Sequence, residues 1–246
     1  MQSTELEQEV NQDVLIVILA RSQSKRIPNK NMRELGGKPL IEWTIDCAKE
    51  IVAGNRILVS TDGIEIRNIA LQNGVLAPWL RPRELSLDST PSADSLKHAV
   101  DWFSKNVITP RVVVLLQPTS PFRTATTIKE ALKLHRNRTN STVVAVSKRR
   151  MEIENLYKIE DGALVSITPG WLEKSIPQNG IFEINGAIYV VNSEFLLNQG
   201  VLYTESVVAI EIESRIESID IDTEMDWQLA QVVADNFKFK ANKGNL

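Results

Sequence analysis

A single cysteine, Cys47, leaves this chain no intrachain disulfide and fits a reducing compartment such as the cytoplasm. Cys47 falls inside an apolar helical pattern and reads as a core residue. The two histidines, His98 and His135, stand in separate helical patterns with no Cys/His spacing around them, which excludes a zinc motif. No apolar run approaches the roughly 20 residues of a membrane span. Positive charge is not in excess either. Lys and Arg total 28 against 31 Asp and Glu, for a net charge of −3, the opposite of a general nucleic-acid binder. The first twelve residues are polar and acidic, which fits neither a signal nor a transit peptide, and are expected to form a tail. What remains is an ordinary globular composition, 43% hydrophobic and 24% charged, with no membrane and no nucleic-acid partner expected.

Strand-like runs alternate with helical periodicity through most of the chain. Val14–Ala20 is followed by a helix over 39–52 with Ile41, Ile45, Ala48 and Val52 on one face and Pro39 in its first turn. A strand over 56–60, a helix over 64–72 and a short strand over 75–80 come next. A helix over 92–106 carries Leu96, Ala99, Val100 and Phe103, with Ser92 as N-cap. Val112–Leu116 reads as a strand buried on both faces, then a helix over 126–135 and a strand over 142–147. Such alternation predicts an α/β fold with a mostly parallel sheet.

The alternation breaks over 148–184. Runs at 156–160 and 163–167 flank Asp161-Gly162, a two-residue hairpin signal, so this stretch is expected to project as an arm that packs on another subunit or serves as a lid. Strands over 186–191, Val207–Glu211 and 219–221 follow. A last helix from Thr223, with Asp226 completing a capping box, turns Leu229, Ala230, Val233 and Phe237 inward. With no linker or repeat, the expectation is one domain over 13–238 between a polar tail at 1–12 and a C-terminal tail at 239–246.

Charge is concentrated locally. Directly after the first strand, residues 21–31 read Arg-Ser-Gln-Ser-Lys-Arg-Ile-Pro-Asn-Lys-Asn, four cations with two serines. Backbone N–H groups, hydroxyls and cations in such a loop can wrap a polyanion; a merely solvated basic loop is the alternative. Two further polar turns, Thr61-Asp62-Gly63 and Gln117-Pro118-Thr119-Ser120-Pro121, end other strands, where open α/β sheets bind ligands. Near the other end stands Ser218-Ile219-Asp220-Ile221-Asp222. If extended, it puts both carboxylates on one face about 7 Å apart at their Cα atoms. That couple suits Mg²⁺ shared with substrate phosphates, or is an acidic surface strand.

Taken together, the chain resembles the N-acylneuraminate cytidylyltransferases, which make CMP-sialic acid, over about residues 14–233. The segments that carry the resemblance are Ala20-Arg21-x-x-Ser24-Lys25-x-Ile27-Pro28-x-Lys30-Asn31 with Gly37-Lys38-Pro39, then Ser60-Thr61-Asp62-Gly63, Arg81-Pro82 with Glu84-Leu85, Leu116-Gln117-Pro118-Thr119-Ser120-Pro121, Asn185-Gly186-Ala187-Ile188-Tyr189 and Ser218 to Thr223. The resemblance implies a Rossmann-like nucleotidyltransferase fold, three-layer α/β/α, with a dimerisation arm. It also implies activation of a 2-keto-3-deoxy nonulosonic acid by CTP, giving the CMP-sugar and pyrophosphate, with Mg²⁺ or Mn²⁺ as cofactor and a homodimer as assembly. By motif position, Ala20, Arg21, Ser24, Lys30, Asn31, Arg81 and Ser92 would hold the nucleotide, and Gln117, Thr119, Ser120, Asn185 and Tyr189 the sugar. Asp220 and Asp222 would hold the metal, and Arg21, Lys30, Asp220 and Asp222 would carry the chemistry.

Two departures stand out. Many members have Arg-Gly-Gly-Ser-Lys-Gly where this chain has Arg21-Ser22-Gln23-Ser24-Lys25-Arg26, which removes glycine's freedom to adopt φ > 0. Members acting on N-acetylneuraminate also carry arginines at about the places of Glu173 and Glu183. Carboxylates there either select another nonulosonic acid, of legionaminic or pseudaminic type, or face solvent. Activation of a Kdo-like acid, another nucleotidyl transfer on this fold, and a non-catalytic nucleotide or sugar binder are the competing readings.

Overall fold

Continuous burial along the first apolar run sets the architecture. In a computed structural model that describes residues 13–138, 141–149, 157–166 and 181–243, β1 (Val14–Ala20) lies inside a six-stranded sheet. Val14, Ile16, Ile18 and Ala20 face one helical layer, while Leu15 and Val17 face the other. A strand apolar on both faces is the mark of a sheet covered on both sides.

The short β2 (Glu34–Leu35) and β3 (Lys38–Pro39) pair with each other, outside the main sheet. β4 (Ile57–Thr61) and β5 (Val112–Leu116) flank β1 and run parallel to it. β6 (Thr142–Arg149) follows, and β7 (Tyr157–Glu160) and β8 (Ala163–Ser166) form a separate hairpin. β9 (Ile181–Asn192) enters antiparallel between β5 and β6, and β10 (Val207–Glu211) closes the edge parallel to β6. The order is β10-β6-β9-β5-β1-β4. Helices α1 (Leu40–Lys49), α2 (Ile64–Gln72) and α4 (Ala125–Asn137) pack on one face through Ile41, Ile45, Ile66, Ala70, Ile128 and Ala131. On the other face, α3 (Ser92–Asn106) and α5 (Ser193–Gln199) bring Leu96, Phe103 and Leu196. The three-layer α/β/α expectation holds.

A third apolar cluster matters most for function. Helix α6 (Glu224–Lys243) packs Trp227, Ala230 and Ala234 against Ile27, Leu35, Leu40 and Phe122. Ile27 sits in the middle of the basic loop and is fully buried. Its burial fastens that loop to the segment leading into α6, nearly two hundred residues away in sequence.

Several local expectations need correction. The run 75–80 makes one isolated bridge, Leu76 to Leu58, and no strand. Residues 219–221 have no ladder partner, although the Ile221 N–H donates to Thr119 O at 2.8 Å. Pro91 takes the cap position of α3, so Ser92 is its first residue and caps nothing. The capping box at Thr223 does form: Thr223 N–H and Oγ1 donate to Asp226 Oδ2 at 2.7 and 2.8 Å. Leu229, expected inward, is 53% exposed, because the buried face of α6 runs through Trp227, Ala230 and Ala234. Helix α6 continues through residues 239–243, within the stretch expected from the sequence to be a C-terminal tail. Residues 148–149 and 181–184 pair within the main sheet, so the arm is shorter than its sequence boundaries. The tail at 1–12, Leu156, Ile167, Glu173 and the side chain of Phe237 lie outside the described residues. Asp161 and Gly162 take φ of 49° and 82° at the hairpin turn, as the Asp-Gly pair demands.

Candidate active site

The chain leaves β1 toward β4 on one side and returns as β5 on the other, so the sheet's direction of growth reverses beside β1. Ligand crevices of open α/β sheets form outside the strand ends at such a point. Here the basic loop leaves β1 and the Gln-Pro-Thr-Ser-Pro loop leaves β5. Together with α3's first turn and the acidic couple, they enclose a cleft of about 330 Å³.

Of the residues singled out in the sequence, Arg21, Ser24, Lys30, Asn31, Arg81, Ser92, Gln117, Thr119, Asp220 and Asp222 line this cleft. Ala20 is buried at the end of β1. Ser120 is buried behind the loop, its hydroxyl without a hydrogen-bond partner. Asn185 donates to Ser147 Oγ at 2.7 Å and accepts from the Ala187 N–H. Tyr189 packs in the core layer with Leu115 and Val191, its ring edge-on to Tyr203 at 6.4 Å, and burial pushes its phenol upward in pKa. Ala20, Ser120, Asn185 and Tyr189 are therefore not brought to the cleft wall. Strand parity explains Tyr189, which turns toward the α3 layer.

The two ends of the sequence meet in the cleft. Lys30 Nζ donates to the Ile221 carbonyl at 2.7 Å and lies 3.6 Å from Asp222 Oδ1. Arg26 Nη1 donates to Asp222 Oδ2 at 2.9 Å. Just beyond, Arg33 makes a two-pronged pair with Glu224 at 2.7 Å and stacks over Trp227 at 4.4 Å. Desolvation lowers the Lys30 amine's pKa, opposed by Asp222 and Asp220. Asp220 is displaced the other way: burial raises its carboxyl above the ordinary range, against the Thr119 hydroxyl, which stabilises the anion. Its Oδ1 is buried with no hydrogen-bond partner. A buried, unsatisfied carboxylate oxygen on a residue of the cleft wall, beside a second carboxylate, is a donor set that suits a hard divalent cation. No cluster of three or more His, Cys, Asp or Glu occurs among the described residues.

The loss of glycine from the basic loop is compensated. Ser22 N–H and Oγ donate to the two oxygens of Asp62 at 2.7 and 2.9 Å, which ties the loop to the turn after β4. Among described non-glycine residues, positive φ occurs at Asn29 and Asp161 alone, so Ser22 and Gln23 need no glycine-like backbone. Asn31 braces the loop from below, donating to Arg21 O at 2.8 Å.

Sequence reasoning passed over Arg123. Its guanidinium is fully buried with no carboxylate salt-bridge partner among the described residues, and burial lowers its pKa to about 10. It donates to Ser120 O, Ala187 O and Thr44 Oγ1 at 2.6 to 3.3 Å, and also to Gln117 O. A buried cation is costly unless its donors are used. These donors clamp the loop that presents Gln117 and Thr119 onto β9. Only the arginine two residues beyond Pro121 hinted at it. Asp88, also unforeseen, bridges Arg21 and Lys25.

Gly186 completes the clamp. It has φ +75°, and a Cβ there would lie 2.4 Å from Gln117 Oε1. Gly186→Ala should therefore destabilise the protein by about 1–3 kcal/mol, lowering Tm by several degrees. Thermal unfolding checks this, and an unchanged Tm would show that the clamp is slack.

The fold and the cleft define a nucleotidyltransferase-type architecture, in which a cationic strand-end loop faces an acidic couple. The chain belongs to the cytidylyltransferase family, whose model matches residues 15–203. It is 37% identical over 220 residues to CMP-N,N'-diacetyllegionaminic acid synthase of Legionella pneumophila, covering 89% of this chain and 94% of that one. The N-acylneuraminate cytidylyltransferase of Escherichia coli is 33% identical over 220 residues, but this chain spans only 51% of its length. In fold the chain matches a CMP:2-keto-3-deoxy-manno-octonic acid synthetase complexed with CTP, with TM-score 0.65 and 17% identity over 90% of this chain and 98% of that one.

Proposed function

We propose that this chain is a Mg²⁺-dependent cytidylyltransferase that activates a nonulosonic acid with CTP. The observation that carries the reading is the meeting of Lys30 with Ile221 and Asp222 in one cleft. The sugar's anomeric hydroxyl attacks the α-phosphate in line: the new O–P bond forms as the bond from the α-phosphorus to the bridging oxygen breaks, and pyrophosphate leaves. Such a transfer needs chiefly positioning and neutralisation of charge. Lys30 stabilises charge at the α-phosphate, Arg21, Ser24 and Asn31 hold the triphosphate, and Arg81 and Ser92 hold the cytidine. Asp220 and Asp222 would hold the metal, whose chemistry when bound is charge neutralisation and alignment of the phosphates. One of the couple takes the hydroxyl proton. Gln117 and Thr119 face the sugar, with Ser120, Asn185 and Tyr189 supporting them from outside the cleft wall.

A legionaminic-type acid is the sugar we favour, supported by the 37% identity to the Legionella synthase. Glu183 adds less to this than its sequence position suggests, because Arg149 on the neighbouring strand pairs with it and offsets its charge. A homodimer is part of the same reading. Ile159 and Leu164, cross-strand partners on the hairpin, are 75% and 71% exposed and offer an apolar pair for a second copy to cover. A cytoplasmic location belongs to the same reading and agrees with a single, buried cysteine, Cys47.

The test is pyrophosphate release with each of the four nucleoside triphosphates against a panel of nonulosonic and Kdo-like acids. The expected result is turnover with CTP and fastest rates on legionaminic-type acids. CTP binding without turnover on any acid would overturn the catalytic reading, and preference for a Kdo-like acid would overturn the sugar class.

A further inference from the structure

The cations of the basic loop are divided between two carboxylates. Lys30 and Arg26 turn to Asp222, while Arg21 and Lys25 turn to Asp88. Asp88 lies on the segment between the short 3₁₀ turn Arg83–Leu85 and α3. Arg21 Nη1 donates to Asp88 Oδ1, and Lys25 Nζ lies 2.6 Å from Oδ2, so the carboxylate spans both cations much as a phosphate would.

Depth distinguishes the two pairs. The Lys30 side chain is 11% exposed, against 41% for Arg21 and 83% for Lys25. In the functional reading above, on which this inference rests, chemistry occurs at Lys30. The phosphates beyond the α-phosphate then fall to Arg21 and Lys25, at the outer end of the loop. The clasp is also a partition. On its outer side is a second recess of about 400 Å³, lined by Lys25, Pro28, Asn29 and Ser86, and Asp88 and Arg21 border both spaces. Hydrogen bonds from Lys25 and Arg21 hold the Asp88 carboxyl below the usual carboxylate range, so it stays anionic at neutral pH.

We infer that Asp88 is a displaceable counter-ion for Arg21 and Lys25, one that weakens their hold on the departing pyrophosphate and lets it leave through the outer recess. A triphosphate displaces the carboxylate from the two cations on entry. After transfer, Asp88 competes for them again and repels the product. A loop with Arg21 and Lys25 unopposed would bind its own product too tightly. These pairs are exposed and individually weak, as a contact that must break in every cycle requires.

The test compares wild type with Asp88→Asn, a near-isosteric surface change, by calorimetric titration with inorganic pyrophosphate and with CTP. The variant is expected to bind pyrophosphate about tenfold more tightly and to show correspondingly stronger product inhibition. It should also have a lower KM for CTP. Raising the salt concentration should shrink the difference between the two proteins. Equal or weaker pyrophosphate binding by the variant, with CTP bound by both proteins, would overturn the inference, since Asp88 would then be aligning the cations instead of competing for them. If neither protein binds CTP or pyrophosphate, the functional reading falls and the inference with it.

Discussion

Lys30→Ala is expected to fold normally and lose about 10²–10³ in kcat. The amine is the most enclosed of the loop's cations, yet it makes no buried salt bridge whose loss would unfold the protein. Its partners are the Ile221 carbonyl, which cleft water can satisfy, and Asp222, which keeps Arg26. Losing the hydrogen bond should cost about 1 kcal/mol of stability. The catalytic cost is far larger, because a preoriented ammonium in a partly desolvated cleft costs nothing to reorganise as charge develops on the leaving group. Initial rates at saturating CTP, with unfolding curves as control, check the expectation. A rate near that of wild type would remove Lys30 from the chemistry.

Asp220→Asn should separate activity from stability. Buried Asp220 has one oxygen without a partner, and its folded pKa lies above its ordinary value. An acid whose pKa rises on folding costs nothing while protonated in both states, begins to destabilise the fold as pH passes its ordinary pKa, and reaches its full cost above the raised value. Asn keeps an acceptor for the Thr119 hydroxyl and removes the charge. Without added metal, the variant is therefore expected to unfold at a higher temperature than wild type at neutral pH. The two should converge below the ordinary carboxylate pKa of about 3.9. Activity should fall by at least about a hundredfold, and Mg²⁺ dependence should weaken, since a direct ligand matters more than the supporting contacts whose loss costs 10–100-fold in metal affinity. Paired melting curves and a Mg²⁺ titration read both effects. An unchanged Mg²⁺ titration would take Asp220 out of the metal site, and equal melting temperatures across pH would show that its charge is compensated.

How much of this was legible beforehand follows from which interactions are local. Strands such as Val112–Leu116 and helices such as Ile64–Gln72 occur at the residues their periodicity marks. The short run at 75–80 failed because a strand needs a partner, and only Leu76 found one. Leu229 failed because the inward arc of a helix depends on what it packs against, here Ile27 and Leu40. Arg123 was hard to foresee because its partners, Thr44 Oγ1 apart, are backbone carbonyls such as that of Ala187, 64 positions away, which any residue type could supply. Glu183 looked like a reversal of charge until Arg149, on the adjacent strand, turned out to face it.

From its residues alone, this chain declares a sheet covered on both faces, a strongly basic loop after the first strand and a carboxylate couple near the last helix. Composition, periodicity and local charge are properties of short stretches, and each stretch carries its own. That Lys30 would meet Asp222, and that Asp88 would turn on Arg21 and Lys25, depended on long-range packing. Burial of Ile27 and Trp227 in one apolar cluster carries the loop to the couple. Hydrophobic burial has no direction of its own, so which charges it brings within reach of one another is settled only when the layers close.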